Sequence, residues 1–73
     1  RHEQVLEAMG EGYMLFDKDL NFLGVNAYAL RLYGMRREEL LGKNFLQAFG
    51  ITEEHPLVRL FRPVVQTGQP VQQ

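Results

Sequence analysis

Cysteine is absent from the 73 residues, so the chain forms no disulfide and offers no thiolate metal ligand, thiol nucleophile or cysteinyl adduct. The formal net charge is only −1 and the pI is near 6.1, so there is no overall attraction to phosphate backbones or anionic lipid. No apolar run reaches the length that spans a bilayer, and Arg1-His2-Glu3-Gln4 does not open a secretory signal. A Gly-rich phosphate loop, a nucleophile elbow and a Ser/His/Asp set are likewise missing, which leaves catalysis without machinery. These absences point to a soluble, cytoplasmic, non-enzymatic segment that binds neither nucleic acid nor membrane.

The material for a fold is nevertheless present. Hydrophobic residues make up 45% of the chain and both charge signs are interspersed, a globular composition. A chain this short buries only about 60% of its unfolded surface, so its stability margin is thin. One domain, residues 1–73, is the most it can hold, and it reads as a piece of a longer protein.

His2, Val5, Leu6 and Met9 recur at helical spacing before Gly10, predicting an amphipathic helix at about residues 2–9 within an N-terminal unit of residues 1–10. Tyr13 to Phe16 and Leu20 to Val25 flank Asp17-Lys18-Asp19 and predict a β-hairpin. Asn26 suits the N-cap of a helix over Ala27–Tyr33, closed by Gly34. Arg36 to Gly42 and Phe45, Ala48 and Phe49 up to Gly50 predict two further short helices, with Gly34 and Gly42 at positive φ. Thr52 to Pro56 marks the start of a longer helix, its acidic residues near the positive end of the dipole. Its apolar face is assigned to Leu57, Leu60, Phe61, Val64 and Val65, with a kink near Arg62 before Pro63. Thr67-Gly68 then turns the chain into a strand beginning at Gln69 to Gln72 whose partners are missing.

This order of elements, and the residues within it, resembles the PAS domain. Glu11-Gly12-Tyr13-Met14-Leu15-Phe16-Asp17-Lys18-Asp19 resembles the opening strand of that family, and Leu23-Gly24-Val25-Asn26 its second strand and helix cap. Tyr33 to Lys43 is similar to the Glu-Glu-Leu-Leu-Gly-Lys stretch, and Thr67-Gly68-Gln69-Pro70-Val71 to the entry of the third strand. The resemblance implies an α+β fold holding the first two strands and the start of a third, out of a five-stranded antiparallel sheet. It also implies a regulatory module of a signal-transduction protein, such as a two-component sensor histidine kinase or an enhancer-dependent transcription activator. In that family the N-terminal helix mediates dimerisation and couples to the effector domain, which here assigns the homodimer interface to Val5, Leu6 and Met9.

The chemical candidates are few. His2 and His55 lack metal-ligand spacing, and His55 stands beside a helix start rather than inside the long helix, where haem-binding members of the family carry a histidine. Covalent flavin requires the absent cysteine, so neither haem nor covalent flavin is expected, no cofactor is predicted and no metal site is assigned. Asp17 and Asp19 could mimic an acid–base pair, but aspartates in a tight turn characteristically bond nearby backbone amides. Arg36 and Arg37, followed at once by Glu38 and Glu39, make a solvated helix face rather than a DNA-reading helix. Tyr28, Tyr33, Phe45, Phe49 and Phe61, with Arg62 as a polar contact, either fill a core or line a pocket for an organic ligand.

Overall fold

The computed structural model describes residues 8–72. Of the expected N-terminal helix, residues 1–7, with Val5 and Leu6, lie outside the described residues. In chain order the elements are β1 (Tyr13–Phe16), β2 (Phe22–Val25), α1 (Ala27–Tyr33), α2 (Arg37–Leu40), α3 (Phe45–Phe49), α4 (Pro56–Gln66) and β3 (Val71–Gln72). They form the expected α+β architecture, an open antiparallel sheet in the order β2-β1-β3 with the helices packed against one face.

The strand expected to lack partners has one. β3 pairs with β1, Val71 opposite Met14 and Gln72 opposite Tyr13, and Val71 is buried rather than presented to solvent. The outer edge of β2 is partly covered as well, because Phe22 exchanges backbone hydrogen bonds with Gly42 and Lys43.

Strand alternation alone would send Phe22 and Val25, three residues apart, to opposite faces. Both are buried, because a β-bulge shifts the register: Leu15 pairs with Gly24 but Phe16 pairs with Phe22, leaving Leu23 as the extra residue. Leu20, expected in the strand, belongs to the turn, with φ at 65°. It is wholly buried, so packing holds a conformation that costs a branched L-residue about 1–2 kcal/mol.

Capping sets the helix lengths. Asn26 heads α1 by accepting from the Ala29 amide, and Asn44 heads α3 by accepting from the Leu46 and Gln47 amides. At the head of α4 the His55 Nδ1 accepts from the Leu57 amide at 3.1 Å, with Pro56 in the first turn. Glu53 and Glu54 therefore precede α4 instead of lying in its first turn. α4 continues through Pro63 to Gln66 rather than restarting there. Its buried stripe is Val58, Phe61 and Val65, one face at helical spacing. Leu60, assigned to that face, lies about 100° round from Phe61 and is 60% exposed.

Gly34 and Gly42 stand at φ 68° and 76°, as expected for chain reversals that follow helices. An added Cβ meets nothing within 4 Å at Gly34, so Gly34→Ala isolates the backbone cost. Chemical denaturation should show a loss of about 1 kcal/mol with an unchanged denaturant slope. No loss would mean that the αL cap does not set the end of α1.

Candidate functional site

The space between sheet and helices is occupied by rings. All five phenylalanines form one cluster, with centroid separations from 4.6 Å for Phe16–Phe22 to 6.4 Å for Phe22–Phe49. Phe45 lies 5.3 Å from Phe61 and 5.0 Å from Phe49 in tilted geometries, and Phe45 and Phe61 are buried. Tyr33 closes one side edge-on to Phe49 at 5.0 Å, its hydroxyl donating to Met14 Sδ at 3.0 Å. Burial raises the Tyr33 hydroxyl above the usual tyrosine range. Of the residues named for an organic pocket, the structure thus brings together Tyr33, Phe45, Phe49 and Phe61.

The other two named residues stand apart. Tyr28 is half-buried on α1 under the Arg31 guanidinium, 5.9 Å from the ring centroid. Arg62 faces the hairpin turn, donating to the Lys18 carbonyl at 3.1 Å and pairing with Glu53 at 2.5 Å. Of the residues assigned to dimerisation, Met9 is described and is 64% exposed.

Two grooves are open at the surface, one of mixed polarity on the sheet and one mainly apolar beside α4. On the outer face of the sheet, Tyr13, Leu15, Leu23, Gly24, Val25, Arg37 and Leu41 line a groove of about 360 Å³. Gly24 forms its floor: an added Cβ would lie 3.6 Å from Leu15 Cβ and 3.9 Å from the Tyr13 ring. Leu23 is 58% exposed on this surface because the bulge turns it outward. Arg37 borders the groove and donates to the Val25 carbonyl, which anchors α2 to the sheet, while Arg36 pairs with Glu39 at 3.8 Å on the solvated side. The second groove, about 340 Å³, runs between α4 and β3 and is lined by Leu60, Phe61, Val64, Pro70, Val71 and Gln72. Strand alternation assigns Leu15 to the outer face in the sequence, but the bulge that adds Leu23 and the fold that adds Leu41 leave no local signal.

The Asp17 carboxylate bonds the backbone of its own hairpin turn. Asp17 Oδ1 accepts from the Asp19 and Asn21 amides, both at 2.9 Å, and Asp17 Oδ2 accepts from Asn21 Nδ2 at 3.1 Å. Asp17 and Asp19 therefore divide structural work, Asp19 offering its carbonyl to Asn44 Nδ2 at 2.9 Å. Among the described residues no group of three or more His, Cys, Asp or Glu side chains is placed to hold a metal ion. No helix among them is long and apolar enough to cross a membrane.

A comparison with protein-family models matches the PAS fold over residues 1–73. Searches of curated proteins and of solved structures return no match.

The hydrogen bonds from Asn21 and Asp19, helped by Lys18, hold the Asp17 carboxyl below the usual aspartate range. Because the folded value is depressed, its contribution to stability is complete above the unfolded value of 3.8 and is lost as pH falls through the folded one. Acid titration of stability should therefore steepen below about pH 3.8, and Asp17→Asn should flatten that limb. An Asp17→Asn chain with the wild-type acid limb would assign the acid sensitivity to other carboxylates.

Proposed function

Because the chain belongs to the PAS fold family, we propose that it is the regulatory, protein-interaction module of a larger signal-transduction protein and is non-catalytic by itself. Domains of this family are in general signal-sensing modules rather than catalysts. The observation that carries the interaction reading is a contrast between interior and surface. Five phenylalanine rings in one connected cluster occupy the interior, while Leu23, Leu41 and Met9 are exposed at 58%, 36% and 64%. Leu23 and Leu41 stand exposed beside one groove of the sheet face, and neighbouring exposed apolar side chains of this kind favour a protein contact.

The reading assigns self-association to the outer sheet face together with Val5, Leu6 and Met9, and coupling to a cytoplasmic effector domain through the same segment. A sensor histidine kinase or an enhancer-dependent transcription activator fits such an arrangement. One observation favours a second reading, a small-molecule sensor: the groove between α4 and β3 has the volume of a ligand site, with Phe61 in its wall.

Size-exclusion chromatography with light scattering separates the readings. The chain should run as a dimer at high micromolar concentration. Leu23→Glu, or Val5→Glu with Met9→Glu, should shift it to monomer with the far-UV circular dichroism retained. A wild-type monomer, together with a bound organic mass in the native mass spectrum of freshly purified protein, would favour the sensor reading instead.

A further inference from the structure

Every backbone carbonyl of the Asp17–Asn21 turn is taken. Asp17 O accepts from the Leu20 amide at 3.0 Å and Asn21 O from the Asp17 amide at 3.0 Å, which closes the hairpin locally. The other three carbonyls are held from the helical side. Lys18 O accepts from Arg62 of α4, Asp19 O from Asn44 at the head of α3, and Leu20 O from the Phe45 amide at 2.8 Å. Within this clasp sits Leu20, the one non-glycine residue at positive φ among the described residues, fully buried against the core.

We propose that this turn is a strained coupling element through which movement of α4 reaches the sheet. A residue other than glycine holds a left-handed conformation only where its surroundings overdetermine it. Here the bonds from α3 and α4 and the burial of the side chain supply that determination. Withdrawal of Arg62 removes the hold on Lys18 and lets Leu20 relax toward negative φ. That relaxation breaks the Phe45 amide bond and draws the Leu20 side chain out of the core. The turn joins β1 to β2, so the disturbance passes directly to Phe16 and Phe22 and to the bulge that orients Leu23. Small displacements of α4 thereby become a two-state change at the sheet, the form that amplification takes in packed interiors. The inference goes beyond the interaction reading and holds whether or not the outer face pairs with a second copy.

Amide hydrogen exchange followed by NMR on the full chain tests it. In Arg62→Gln the Leu20 and Phe45 amides should exchange about tenfold faster, the loss of one hydrogen bond to a charged donor, while Leu30 in α1 keeps its wild-type rate. Equal acceleration of all three amides, or no change at Leu20 and Phe45, would overturn the proposal. A second pair isolates the strain. Glycine carries no penalty at positive φ, so in a Leu20→Gly background Arg62→Gln should leave the Phe45 rate unchanged. The same acceleration in both backgrounds would sink strain as the driving term.

Discussion

The side-chain amide of Asn26 ties the first strand, the second strand and the first helix into one corner. It is the buried polar side chain of the described core, 1% exposed, and it serves three segments at once. Its Oδ1 accepts from the Tyr13 amide at the start of β1 and from the Ala29 amide in the first turn of α1, while its Nδ2 donates to the Glu11 carbonyl. Entry strand, second strand and first helix therefore meet at one planar group whose donors and acceptors point in fixed directions. Burying an amide without partners costs a few kcal/mol, so these bonds make the corner specific as well as stable. They also bring the N-terminal end of β1 beside the head of α1, from which the chain passes on to α2 and α3.

With that corner set, β1 becomes the middle strand and its two inward residues, Met14 and Phe16, define where the helices pack. The helices after β2 are short because caps and glycine reversals end them, so they wrap the sheet as a cap rather than stacking as a bundle. Aromatic rings suit such a cap: one ring reaches several elements, and Phe45 touches Phe16 and Phe22 of the sheet, Phe49 beside it and Phe61 of α4. Filling the interior in this way leaves apolar residues over for the outside. That surplus, Leu23 and Leu41 on one face and Leu60 near the other groove, is why the interaction reading leads.

Much of this organisation was legible in the sequence, and the reasons differ by element. Asn26, Gly34, Gly42 and Gly50 act through their own backbone and their immediate neighbours, so local chemistry identifies their roles. Asp17 was readable as an amide-binding turn residue for the same reason. Periodicity located α4 and most of its inner face, Phe61 and Val65 with Leu57 and Val64 beside them, but put Leu60 there in place of Val58, since both are apolar and only the position of the sheet distinguishes them. The aromatic residues were identified as a group, yet Tyr28 parted from it, because helical spacing does not say which side of α1 meets the sheet.

Element order, helix caps and reversals, and the lack of thiol chemistry are carried by single residues or short spacings and can be read from the chain alone. Tertiary structure decided what depends on distant segments meeting. It paired Val71 with Met14, and it turned Leu23 outward and Phe22 inward by a bulge whose register is set across strands. It forced Leu20 into a glycine-like conformation. It also directed Arg62 to a carbonyl 44 positions away instead of to a pocket. The physical reason is common to all four: a hydrogen bond or a buried contact between remote segments outweighs the modest local preference of any one residue.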